Sequence, residues 1–217
     1  MRGLTRLLVF SLSLFSFACS AQDASAKFVE GKQFKQVKSI AKPVDAKRIT
    51  VEEFFWYGCQ HCFHFEPDIS GWVAKKKPAD VDFIQVPASL GRPEGTLHQK
   101  AFYTAEALGV SKQIHKALFE GIHEKHQPLF TQDALAGLFN AQSGVLPDVF
   151  ASTFTGFAVD SRVRRAETLA RDYQIFSVPS VVVGGKYQTN STMAGSFPEV
   201  LKVVDFLIEK VRKERKN

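Results

Sequence analysis

Cysteine is scarce in this chain, with three in 217 residues. That excludes a small scaffold held by several disulfides. The chain also lacks an internal repeat and a low-complexity linker, which removes solenoid and array architectures. No apolar run is long enough to cross a bilayer comfortably: the longest N-terminal one, Leu7 to Phe17, falls short of the ~20 residues a spanning helix needs. The basic residues near the C-terminus, Lys210, Arg212, Lys213, Arg215 and Lys216, have no stacking aromatics interleaved with them, so they read as a solvated helix end and no nucleic-acid role is expected. The balance of 45% hydrophobic and 23% charged residues, with a net charge of +6, is that of a globular chain able to build a core.

What is present begins with an address. Arg2 and Arg6 precede the apolar run, and small residues follow it as Ala18-Cys19-Ser20-Ala21 and Ala24-Ser25-Ala26. This is the pattern of a secretory signal peptide over residues 1–26, cut after Ala21 or after Ala26. A retained membrane anchor and a lipoprotein acylated at Cys19 are the alternatives. Removal of the leader takes Cys19 with it and leaves Cys59 and Cys62. A disulfide between residues three apart closes a minimal ring and gains little loop entropy, so in an oxidising compartment the pair points to chemistry rather than scaffold.

The elements around the pair place it. Arg48 to Tyr57 is dense in β-branched and aromatic residues and reads as a buried strand ended by Gly58. Cys59 to about Lys77 reads as a helix with Phe63, Phe65, Ile69, Trp72 and Val73 toward the core and Pro67 inside it. Val81 to Val86 is a second strand, making a βαβ unit with parallel strands. Pro87 to Gly95 reads as a loop. Residues 96–156 change to helical periodicity broken at Gly109, Pro128, Gly144 and Pro147, which suggests three or four short helices. A further helix is expected over Asp160 to Gln174, capped by Asp160 or Ser161. Ser180 to Val183, a Gly184-Gly185 turn, Lys186 to Thr189 and an amphipathic helix from Phe197 to about Lys213 complete the chain, with a short strand also expected near Phe34 to Val37. The fold class is α/β, a mixed sheet covered by helices with a helical subdomain inserted in the middle. The divisions are 27–95, 96–158 for the insert, and 159–217.

At a strand–helix junction the Cys59 sulfur meets unsatisfied N–H groups and the positive end of the helix dipole, which favour its thiolate, and His61 adds charge or a donor. Cys62, one turn in, should be more buried and less acidic. Half of a zinc site competes with this reading. Zinc would need two more ligands, and the chain offers His61, His64, His115 and a His123-Glu124-Lys125-His126 pair that a polar helix end explains as well. Val178-Pro179, just before a buried strand, is either a cis bond or an ordinary trans proline opening the strand.

These landmarks carry a resemblance. Glu53-Phe54-Phe55 leading to Cys59-Gln60-His61-Cys62, the aromatic Phe63, the helical block, Val178-Pro179 and Gly185-Lys186-Tyr187-Gln188 occur in the order found in the bacterial periplasmic DsbA family of thioredoxin-fold disulfide oxidases, which the chain resembles over nearly all of its mature length. The resemblance implies a periplasmic thiol–disulfide oxidoreductase in which Cys59 is the exposed nucleophile, Cys62 its buried partner and His61 a stabiliser of the Cys59 thiolate. It implies that Val178 and a cis Pro179, with Gln60, meet substrate, and that Glu53 lies beneath the pair as a proton relay, although its residue type alone reads as a charge at the end of a strand. The implied partners are reduced secreted proteins and an inner-membrane, quinone-linked reoxidase. No organic cofactor or metal is expected, and the chain is expected to be a monomer. Two positions depart from the family: Gln60 stands where Pro is common, and Gln85 where a Lys often pairs with the buried acid. A disulfide isomerase or reductase on the same fold and a non-redox peptide-binding chaperone are the competing functions.

Overall fold

The computed structural model describes residues 28–38, 45 and 47–216. The expected leader lies outside them. Among the described residues five strands form one mixed sheet in the order β1-β5-β4-β2-β3, with β1 Lys35–Gln36, β2 Ile49–Phe55, β3 Val81–Pro87, β4 Ser180–Val183 and β5 Tyr187–Asn190. β2 and β3 run parallel, joined by α1 Gln60–Lys75 as the crossover, and the other pairings are antiparallel. β2 is therefore interior, and six of its seven residues are buried, as its run of Val, Phe and Ile demands.

Alternation along β2 decides what lies beneath α1. Val51 joins Val181, Val183 and Tyr187 in a core layer closed by Phe65, Ile69 and Trp72 of α1 and by α8 Phe197–Lys216. The stripe of α8, Val200, Val203, Val204, Leu207, Ile208 and Val211, is buried throughout. Each such side chain stabilises the fold by roughly 1.5–3 kcal/mol. Phe54 points the other way, onto Tyr173 at 5.9 Å between ring centres. That second layer holds α2 Pro93–Ala107, α3 Ser111–His123, α4 Gln132–Ser143, α5 Pro147–Phe154 and α6 Phe157–Asp172.

Two expectations are corrected and one element is new. α6 begins at Phe157 with Gly156 as its cap, so neither Asp160 nor Ser161 caps it; Asp160 sits inside the first turn, where a carboxylate suits the dipole, and is paired with Lys100 at 2.8 Å. The loop after β3 is shorter than Pro87–Gly95, because Pro87 ends the strand and Pro93 opens α2 as a first-turn proline. A short α7, Ser191–Ala194, capped by the Asn190 side chain, precedes α8 and was not expected.

Gly95 in the first turn of α2 is a packing requirement. A Cβ there would lie 2.4 Å from the Ser89 carbonyl oxygen and 2.5 Å from the Ser89 Cα. Alanine is better than glycine in a helix by about 1 kcal/mol, but backbone cannot step aside as a side chain tip can. Gly95→Ala is therefore expected to lower stability by ~1–3 kcal/mol, read as a fall in the urea midpoint. A rise would show that the α2 turn can move off Ser89.

Candidate active site

Cys59 is the N-cap of α1, with extended backbone (φ −93°, ψ 112°), and its sulfur accepts from the Cys62 N–H at 3.4 Å. The chain reaches this position through Gly58, where any Cβ would lie 2.4 Å from the Trp56 ring. Trp56 is itself fixed. Its indole N–H donates to His98 Nδ1 at 3.0 Å, and His98 Nε2 lies 2.8 Å from the Leu129 carbonyl. Burial holds the His98 pKa down, so the neutral ring accepts at Nδ1 and donates from Nε2. His123 makes a second tie from α3: Nε2 is 2.7 Å from the Tyr57 carbonyl, and the ring stacks on Phe63 at 5.0 Å. The His123–His126 pair considered as metal ligands is thus divided. His123 is turned inward, whereas His126 is exposed beyond the helix.

Cys59 and Cys62 are free thiols, so the dithiol form is described. Their environments push them apart. Cys59 is half-buried and its pKa falls from 9.0 to about 6: the Cys62 thiol donates to its sulfur, the N–H groups of Cys62 and His61 add to that, and the His61 charge contributes least, all against the desolvation of partial burial. His61 therefore acts more through its backbone than its imidazole, which is exposed. Cys62 is 1% exposed. Burial first, then its donation to Cys59 and the nearby Cys59 charge, raise its pKa far above the ordinary thiol range.

The Val178-Pro179 bond is cis. The Val178 carbonyl lies 3.5 Å from Cys59 Sγ, a bond that the thiol can donate only while it is protonated. Gln60 is exposed at the start of α1. Phe54 and Tyr57 are core, whereas Trp56 and Phe63 are part-exposed, so of these four only the latter two can meet a ligand.

Glu53 is 1% exposed, which corrects the reading of its residue type as a solvated strand-edge charge: β2 is an interior strand. The parallel register sets Glu53 opposite Gln85, and the Gln85 amide donates to Glu53 Oε2 at 3.1 Å. Burial and the neighbouring Glu66 charge push its pKa up to about 8, against the Gln85 bond. The sequence did not reveal that Gln85 also touches His115, Nε2 to Nε2 at 3.3 Å, or that His115 Nε2 lies 3.3 Å from Glu66 Oε2. Glu66 carried a usable signal, being one helical turn beyond Cys62; His115 carried none.

Two sulfurs of opposed acidity, one reachable and one sealed over a buried carboxyl, are suited to passing a disulfide from one dithiol to another. With this sheet order they define a thioredoxin-fold thiol–disulfide oxidoreductase. Within that class, the chain belongs to the family of the DSBA-like thioredoxin domain, whose model matches residues 50–199. Thiol:disulfide interchange protein DsbA of Pseudomonas aeruginosa is 41% identical over 209 residues, covering 96% of this chain and 95% of that protein. Its namesake from Burkholderia cepacia is 39% identical over 217 residues, covering 99% and 100%. The crystal structure of Pseudomonas aeruginosa DsbA matches with a TM-score of 0.80 at 39% identity, over 88% of this chain and 97% of that one. The oxidoreductase DsbA of Xylella fastidiosa matches with 0.76 at 33%, over 85% and 98%.

Proposed function

We propose that this oxidoreductase works in the oxidising direction, in the periplasm, on reduced secreted proteins, with Cys59 as the sulfur that substrate attacks and that later leaves. The carrying observation is the Cys59 thiol lowered to about 6 beside a Cys62 whose pKa is raised. A stable Cys59 thiolate favours the dithiol form, and whatever stabilises the dithiol makes the disulfide a stronger oxidant. Among the described residues no helix is long and apolar enough to cross a membrane, consistent with a domain that meets its substrates in solution.

In the proposed cycle a substrate thiolate attacks Cys59 Sγ of the enzyme disulfide. The Cys59–Cys62 bond breaks, a mixed disulfide forms, and Cys62 leaves as a thiolate. Cys62 takes the proton that Glu53 holds at neutral pH. A second substrate thiolate then attacks the substrate sulfur and expels Cys59 as its stabilised thiolate. The substrate loses two electrons and the enzyme gains two, which an inner-membrane, quinone-linked partner would remove. Val178, whose carbonyl lies 3.5 Å from Cys59 Sγ, would hold the substrate backbone together with its chain neighbour Pro179 and with Gln60, with Trp56 and Phe63 offering apolar contact. His61 supports the thiolate chiefly through its N–H.

A glutathione redox titration, together with ultraviolet titration of the Cys59 thiolate, tests this reading. An oxidising pair with a Cys59 midpoint near 6 is expected. A pair as reducing as a cytosolic thioredoxin, with an ordinary thiol, would overturn the oxidising direction.

A further inference from the structure

β3 is an edge strand, and its outer side faces a groove of about 1260 Å³, larger than the roughly 300–1,000 Å³ of an ordinary small-molecule pocket. Phe83, Ile84, Gln85 and Val86 all line it. Successive side chains of a strand point to opposite faces, so four in a row mean that the groove wraps the edge itself. α1 flanks it from one face of the sheet with Glu66, Pro67 and Ser70, and α6 from the other with Arg165, Ala166 and Leu169. The groove reaches Phe63, next in sequence to Cys62, whereas neither Val178 nor Pro179 lines it.

The phase of the β2–β3 ladder decides which backbone groups the groove meets. The Ile49 N–H donates to the Asp80 carbonyl at 3.0 Å, and the Ala88 N–H to the Phe55 carbonyl at 2.8 Å. Along a parallel ladder the residues that bond to one neighbour alternate. Asp82, Ile84 and Val86 therefore turn their N–H and C=O groups to β2, and Val81, Phe83, Gln85 and Pro87 turn theirs outward. The ends of that outer row are closed. The Val81 carbonyl accepts from Lys77 Nζ at 2.7 Å, and Pro87, which has no N–H, accepts at its carbonyl from the Gln99 amide at 2.9 Å. Phe83 and Gln85 are left, with no partner for their backbone groups among the described residues. An open edge of this kind is a template for another extended chain.

We propose that this edge is a second docking site for substrate, where an extended segment of a reduced client protein adds to β3 as a strand while Cys59 exchanges with its sulfur. The proposal rests on reduced proteins being the clients. Such a client is unfolded and offers unpaired backbone, and the groove begins beside the redox pair. A second copy of this chain does not fit: its β3 lies between its own α1 and α6, so two such edges cannot meet. Side chains narrow the segment further. On the α6 side Ile84 is 42% exposed and gives apolar cover. Opposite it on β2 lies Glu52, nine-tenths buried on the groove lining, whose carboxyl takes the Tyr173 hydroxyl while Oε2 has no partner among the described residues. Glu52 is two strand spacings, about 10 Å, from an added strand. That is the reach of a lysine or arginine and of no shorter donor. The segment that fits carries an apolar residue and a long basic one on the face it turns to α6.

The test is residue-resolved amide exchange by NMR on the whole protein, with and without a cysteine-free peptide of about six residues, the usual length of a strand, built of valine and lysine. At saturation, exchange at Phe83 and Gln85 is expected to slow at least about tenfold, while Ile84 and Val86, already bonded to β2, stay as they were. The same peptide N-methylated at the residues that would face β3 is expected to bind at least about tenfold more weakly, because it has lost those donors. Glu52→Gln should weaken the lysine peptide several-fold and leave a norleucine version unchanged. Absence of binding at about 1 mM peptide, binding that leaves Phe83 and Gln85 unslowed, or equal binding of the N-methylated peptide overturns the proposal. So does protection of the two amides before peptide is added, which would place a segment of this chain on the edge, or protection that grows with protein concentration alone, which would place a second copy there. Turnover supplies the link to clients. Ile84→Asp should raise KM for a long reduced protein about tenfold with kcat unchanged, and leave the rate on a short dithiol peptide as it was; an equal effect on both overturns the client role. If the wild-type protein oxidises neither, the oxidising reading fails, and the amide exchange still reports on the edge.

Discussion

Cys59→Ser is expected to lower the rate of disulfide exchange by at least about a thousandfold, whereas Cys62→Ser should attack substrate disulfides normally and then stall as a mixed disulfide. The asymmetry follows from burial. Cys59 is part-exposed and its sulfur accepts from backbone N–H groups, so its thiolate exists at neutral pH; Cys62 is sealed and its pKa is raised by burial. A serine at 59 can neither form the Cys59–Cys62 disulfide that a substrate thiolate attacks nor supply a thiolate in the reverse direction. A serine at 62 leaves the Cys59 environment largely in place, because the hydroxyl can still donate toward the sulfur and the Cys62 N–H bond is backbone. The check is oxidative refolding of a reduced two-cysteine substrate for Cys59→Ser, and non-reducing gels with mass spectrometry for Cys62→Ser. Equal trapping by both variants would mean that either sulfur can attack, and would remove the directional reading of the site.

How much of this could be read from the sequence depends on whether the signal was local. Cys59 at a strand–helix junction was legible because β2 announces itself as a β-branched and aromatic run and Gly58 ends it. Val178 was legible although it lies 119 residues from Cys59, because a proline at the mouth of a buried strand is conspicuous. The start of α6 was misplaced because Asp160 imitates a cap while the true cap, Gly156, has no side chain to announce it. Glu53 was ambiguous on its residue type. Whether a carboxylate at the end of a strand is solvated or buried depends on which strands flank it, and sheet order is a property of the whole chain. His115 was not legible at all. It meets residues 30 and 58 positions away only because α3 lies over the end of β2 and against α1, and no periodicity encodes that. The same holds for the requirement at Gly95, which comes from the backbone of Ser89 across a turn.

The second large effect is on stability. The folded dithiol form is expected to gain stability over the disulfide form as pH rises from about 6 to about 9. In the folded protein Cys59 ionises near 6, and in the unfolded chain near its ordinary 9.0. Below 6 both states hold the proton and the group contributes nothing. Between the two values the unfolded chain binds the extra proton, so stability rises with pH, and the contribution is complete above the unfolded value. Cys62 works in the opposite sense only above that window, where the unfolded thiol ionises and the folded one does not. Glu53 has a raised folded pKa, so its contribution is lost as pH rises from the unfolded carboxyl range through about 8. Repeating the comparison in Glu53→Gln takes that slope out of both redox forms. The quantity to measure is therefore the gap in melting temperature between reduced and oxidised protein across pH 5 to 9, at constant ionic strength. A gap that widens with pH ties the oxidising strength of the pair to the Cys59 thiolate. A flat gap would show that this thiolate does not stabilise the folded dithiol form, and the source of any oxidising power would then have to lie in the disulfide form instead.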